Sequence, residues 1–138
     1  MRTNRLFLAL GVGLSLLLVA CGSVPKPSFT LLLNPPEINA SPNSDRLAVL
    51  TVTSQNGFTG TVKIEKLEAV DANNNPVPGV SVLPSAPIDL TLLANASVNV
   101  PLMVEVGLGV PAGTYTLQAK GTSGNITQQA TLKLKVVQ

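Results

Sequence analysis

The amino-acid sequence predicts an all-β domain, an antiparallel β-sandwich of about seven to eight strands, and three observations carry that prediction. From Phe29 onward the apolar residues recur with period two, turn-forming clusters punctuate the runs, and no stretch after Cys21 keeps a helical period for three turns. Composition agrees. In 138 residues only 12% are charged and 3% aromatic, while Gly and Pro contribute 11 each, the make-up of short aliphatic segments joined by many turns.

In chain order, Val62 and Ile64 alternate with Lys63 and Glu65, and Ile88, Leu90 and Leu92 alternate with Asp89 and Thr91. The longest alternation runs through Val98, Val100, Leu102, Val104 and Val106 against Asn99, Pro101, Met103 and Glu105, the pattern of a strand with one face on a core. Pro101 inside that pattern predicts either a sheet edge or a bulge, because it has no N–H to give a ladder. Tyr115, Leu117 and Ala119 form the next inward set, and Ile126, Gln128, Ala130, Leu132, Leu134 and Val136 the last. Between these runs stand NPP at Asn34, SPNSD at Ser41, QNGFTG at Gln55, DANNNPVPG at Asp71, LPSAP at Leu83, GVPAG at Gly109 and TSGN at Thr122. Each combines Pro, Gly, Asn or Asp in the way turns require.

The first 20 residues have a different character. Arg2 and Arg5 precede a run of 15 residues from Leu6 to Ala20 that is apolar except for Gly11, Gly13 and Ser15. It falls short of the roughly 20 residues that cross a bilayer, and a charged start, a short apolar run and a small residue before the cut read as a secretory signal peptide. Without Arg2 and Arg5 the 9 basic residues become 7, against 7 acidic ones, so the remaining chain is neutral. The overall pI of 8.9 is therefore no argument for a nucleic-acid partner.

Leu18-Val19-Ala20-Cys21 resembles the lipobox of bacterial lipoproteins. The resemblance implies cleavage between Ala20 and Cys21, a diacylglyceryl group on the Cys21 thiol, and further acylation of the new amino terminus. It makes the membrane a partner through the lipid anchor and places the protein in a bacterial cell envelope. The residue after the cysteine is Gly22 rather than the Asp that favours inner-membrane retention in some Gram-negative members of that family, which favours the outer membrane where a host has one. Residues 22–28, GSVPKPS, lack periodicity and read as a tether. The domains expected are therefore a signal segment over 1–20, an anchor and tether over 21–28, and a sandwich over 29–138.

GFTGTVKI from Gly57, PAGTYTL from Pro111 and TLKLKV from Thr131 resemble, in order and spacing, the immunoglobulin-like modules of bacterial surface proteins, and DANNNPVPGVSV from Asp71 is similar to a turn of intimin- and invasin-like adhesins. The likeness spans about residues 29–138 and implies an immunoglobulin-like sandwich. There are departures: the chain has no Cys pair and no Trp to pin the two sheets, and Asn74 stands where the adhesin turn usually carries Gly.

Chemistry finds little material. Without histidine the usual acid–base and nucleophilic triads cannot form. Asp45, Glu65, Glu68, Asp71, Asp89 and Glu105 are scattered over outward positions and turns, and Met103 is the only soft ligand besides Met1 and Cys21. Asp71, Asn73 and Asn75 have the alternate spacing of a calcium loop, but its sixth and twelfth positions hold Pro76 and Val82, which makes a polar turn the better reading. Phe29 and Phe58 fit packing, and Tyr115, placed just after PAG, fits a tyrosine corner rather than a sugar platform. No cofactor and no catalysis are expected. Contacts with an envelope protein or glycan fall to a sheet edge, to Asn73, Asn74 and Asn75, or to apolar residues such as Leu108 and Val110. The alternative is an accessory subunit docking on a membrane complex or a secreted enzyme.

Overall fold

The computed structural model describes residues 25–138. Ala20, Cys21 and the signal segment lie outside the described residues. The nine strands are β1 (Ser28–Asn34), β2 (Glu37–Ala40), β3 (Ser44–Gln55), β4 (Gly60–Val70), β5 (Val80–Leu83), β6 (Ile88–Leu92), β7 (Ser97–Val106), β8 (Gly113–Ser123) and β9 (Ile126–Val136). They form a four-stranded sheet in the order β1-β3-β7-β5 and a five-stranded sheet in the order β2-β9-β8-β4-β6. The two sheets enclose one core, which makes the β-sandwich the sequence predicts.

Nine strands exceed the expected seven to eight because two four-residue strands, β2 and β5, are too short to show a period. Pro35 and Pro36 cannot extend the β1–β3 ladder, so the chain leaves the first sheet there and joins the second as β2. That strand runs parallel to β9, while every other pairing is antiparallel. All seven turn clusters separate strands as expected. An eighth turn, Leu93 to Ala96, carries a weaker signal and closes with the Ala96 N–H donating to the Leu93 carbonyl at 3.1 Å.

Alternation builds the core. The inward residues of β7, from Val100 through Leu102 and Val104 to Val106, are buried, as are Leu117 and Ala119 of β8 and Leu132, Leu134 and Val136 of β9. In β4 the inward set shifts phase, from Val62 and Ile64 to Leu67 and Ala69, because a bulge between Ile64 and Lys66 places Glu65 and Lys66 together on the outside. Phe29 and Phe58 close one end with ring centroids 5.6 Å apart and planes tilted by 54°. Beside them the Ser54 hydroxyl, the one buried polar side chain among the described residues, donates to the Phe58 carbonyl at 2.8 Å.

Pro101 sits on an edge. It faces Val49 of β3 on one side, and β5 pairs with β7 only from Met103 to Val106, so its other side has no strand. Tyr115 forms the corner: its hydroxyl donates to the Pro111 carbonyl at 2.7 Å, tying the start of β8 to the loop before it. Tyr115→Phe removes that bond alone and is expected to lower stability by about 1 kcal/mol, measurable as a shift in the urea midpoint with an unchanged slope.

Candidate functional site

The Asn-rich loop between β4 and β5 is held by its own hydrogen bonds. Asp71 Oδ1 accepts from the Asn73 N–H at 2.9 Å and from the Asn75 N–H at 3.0 Å, while the Asp71 N–H donates to the Asn75 carbonyl at 2.9 Å. The carboxylate thus organises the turn in the manner of an Asx-turn. Asn74 takes a left-handed φ of 65°, which Asn tolerates at low cost, and its Oδ1 accepts from Gln118 Nε2 of β8 at 2.9 Å. Asn73, Asn74 and Asn75 are all exposed, so the loop is presented on the surface with its central residue fastened to the five-stranded sheet.

Leu108 and Val110, both expected at the surface, part company. Leu108 is 77% exposed, whereas Val110 is buried at 2%. The β7–β8 loop folds back on the β4–β5 loop, with the Gly107 N–H donating to the Gly79 carbonyl at 2.8 Å, and the Val110 side chain fills the space that Gly79 leaves by having none. Val110 is a core residue and presents nothing to a partner.

Where β6 stops pairing with β4 at Ile64, the two sheets part and leave an open groove of about 350 Å³. Leu67, Val80 and Val82 are among its lining, together with Glu65, Lys66, Glu68, Ser81 and Ser85. The two carboxylates stand beside cations: Glu65 Oε2 lies 4.0 Å from Lys120 Nζ and Glu68 Oε2 lies 3.9 Å from Lys66 Nζ. Both carboxylates remain open to water. Among the described residues no group of three or more Cys, Asp or Glu side chains is placed to hold a metal ion.

The feature that sequence reasoning missed lies on the outside of the four-stranded sheet. Leu32, Leu47, Val49, Leu83 and Met103 are among the exposed large hydrophobic residues, and all five point outward from that sheet. Strand register gathers four of them: Leu47 faces Met103, which faces Leu83 on its other side, and Val49 on the same face is opposite Pro101, whereas Leu32 stands opposite Thr51. The outer face of the five-stranded sheet is built instead of Thr, Gln and Lys, including Lys63, Lys120, Lys133 and Lys135, and no large hydrophobic residue is exposed on its strands. The four-stranded sheet thus shows exposed aliphatic residues among Thr, Ser, Asn and two acids, and the five-stranded sheet shows none.

No protein-family model matches the chain, and no curated protein matches it. By fold it is similar to the periplasmic chaperone SfaE, with a TM-score of 0.54 and 11% identity over 77% of this chain and 55% of that one. It is also similar to a family 123 glycoside hydrolase from Clostridium perfringens, with a TM-score of 0.50 and 7% identity over 79% of this chain and 27% of that one. A two-domain structure of the S-layer protein SbsC, domains 4 and 5, aligns with a TM-score of 0.49 and 18% identity over 82% of this chain and 54% of that one. The chain spans from about a quarter to just over half of these solved chains, and the likeness to the periplasmic chaperone shows the immunoglobulin-like sandwich fold.

Proposed function

We propose that this chain is a bacterial envelope lipoprotein, held to a membrane through acyl chains on Cys21, whose sandwich works by binding and not by catalysis. The observation that carries the reading is Leu18-Val19-Ala20-Cys21 at the end of a 15-residue apolar run that follows two arginines. Each of those features has its own chemical reason, and together they specify a thiol delivered to the far side of a membrane for alkylation. Two or three acyl chains, at about 0.8 kcal/mol per buried methylene, hold a small domain on a bilayer essentially permanently.

The apolar face of the four-stranded sheet favours binding over a bare spacer role. A spacer needs only a soluble surface, whereas a contiguous exposed apolar patch on a neutral domain lowers solubility and is kept where something covers it. Growth with labelled palmitate tests the anchor. Label is expected in the wild-type chain and absent from Cys21→Ala; equal label in the two, or none in either, overturns it.

A further inference from the structure

We propose that the domain stands end-on on the bilayer that holds Cys21, with the β6–β7 turn at Leu93 seated among the lipid headgroups and the Asn-rich loop directed away. This rests on the lipoprotein reading and goes beyond it, because an anchor alone does not orient what it holds.

Four segments meet at one end of the sandwich. β1 begins there at Ser28, and the Lys26 carbonyl just before it accepts from Asn56 Nδ2 of the β3–β4 turn at 3.2 Å. The Ser54 N–H donates to the Ala96 carbonyl at 2.9 Å, which fixes the β6–β7 turn beside the β3–β4 turn. Gln128 Nε2 donates to Ser28 Oγ at 3.3 Å, so the β8–β9 turn closes the same end.

From Cys21 the chain reaches Pro25 in four residues, a span of at most about 14 Å. Pro25 and Pro27 restrict the backbone that follows, and the Asn56 bond holds Lys26 between them. A lipidated Cys21 therefore keeps this end close to the headgroups and leaves it little slack to turn away. β4 runs from Gly60 at this end to Val70 at the other, 11 residues or about 36 Å at about 3.3 Å each. The Asn-rich loop that follows Val70 is thereby carried to the side remote from the membrane.

The chemistry of the two ends agrees with this polarity. Residues 25–28, 54–60, 92–97 and 123–127 hold a single charged side chain, Lys26, and it is a cation, the sign that anionic headgroups attract. Asp45, Arg46, Asp71 and Glu105 lie at or near the opposite end, where contact with a bilayer would strip water from charges of both signs. Lying on the outer face of the four-stranded sheet would press Asp45 and Glu105 against the headgroups. Leu93 is 61% exposed and is the one exposed large hydrophobic residue in the four segments at the tether end. A single leucine is a weak membrane contact, but the anchor makes it intramolecular, at an effective concentration on the order of millimolar, so a weak contact suffices to orient the domain.

The test uses the full chain, matured in cells, extracted from their membranes and reconstituted into vesicles of phosphatidylethanolamine and phosphatidylglycerol. The acyl chains carry bromine near the headgroup end, where it quenches a nearby indole. The sequence has no Trp, so Leu93→Trp, Leu47→Trp and Leu108→Trp each introduce one indole with the same interfacial preference, at the tether end, on the four-stranded sheet and at the far end. The indole at position 93 is expected to lose most of its emission and shift to the blue, while those at 47 and 108 keep theirs. If the chain floats with the vesicles and quenching is absent at 93, equal at the three positions, or strongest at 47 or 108, the end-on orientation is overturned and the anchor stands. A chain that does not float with the vesicles, or that floats equally well as Cys21→Ala, would overturn the lipoprotein reading and the orientation with it.

Discussion

Leu50→Ala is expected to cost about 2–5 kcal/mol, the largest effect of any single truncation proposed for this domain. Leu50 is fully buried on β3, the strand flanked by β1 and β7, with Leu33 opposite on one side and Val100 on the other. Cutting its isobutyl group back to a methyl removes contacts with both neighbours and with the inward side chains of the second sheet. The site cannot collapse to fill the space, because β3 is held on both edges by ladders over most of its length. Without a disulfide there is no cross-link to offset the loss, and marginal stability makes several kcal/mol a large fraction of the whole. A fall in melting temperature on the order of 10 °C is the expected reading; a fall of a degree or two would place Leu50 outside the cooperative core.

Gly79→Ala comes next and acts by a different route, through the backbone. Gly79 has a φ of +91°, where an L side chain is strained, and a Cβ added there would lie 2.9 Å from Val110 Cγ2. Val110 is itself buried, and the Gly79 carbonyl holds the Gly107 N–H, so the two loops cannot separate without exposing core and breaking that bond. Strain and overpacking together are expected to cost about 2–4 kcal/mol. Val110→Ala relieves the contact but not the φ and carries a cavity cost of its own, so in a double-mutant cycle Gly79→Ala is expected to cost less in the Val110→Ala background than in the wild type; an equal cost in both backgrounds would assign the whole effect to the backbone conformation.

Much of the sandwich is legible in the sequence for one physical reason. Where a strand has one wet face and one dry face, alternation writes the geometry directly, as it does in β7 with Val100, Leu102 and Val104 against Asn99 and Glu105. The same logic hid the apolar outer face. Leu47, Ala48, Val49 and Leu50 form an unbroken aliphatic run in β3, and such a run does not say which residues point out. Only the register with β7 and β5 collects Leu47, Met103 and Leu83 into one row. Val110 failed in the opposite sense: a lone valine between Gly109 and Pro111 reads as a surface loop, and its burial comes from a glycine more than thirty residues away. The Asn-rich turn was legible as a polar turn because Asp71 and the asparagines after it bond locally, whereas the tie from Asn74 to Gln118 spans two distant segments and leaves no local trace. The proposed anchor rests on a different kind of signal, since a processing motif is read as a linear string and needs no fold.

The proposed lipoprotein starts at Cys21 with lipid on its sulfur. Mass spectrometry of the amino-terminal peptide from membrane-extracted protein tests it most directly. The expected peptide begins at Cys21 and carries the added mass of a diacylglyceryl group, alone or with a third acyl chain. A peptide that begins at Met1, or one that begins at or near Cys21 with an unmodified thiol, would contradict it.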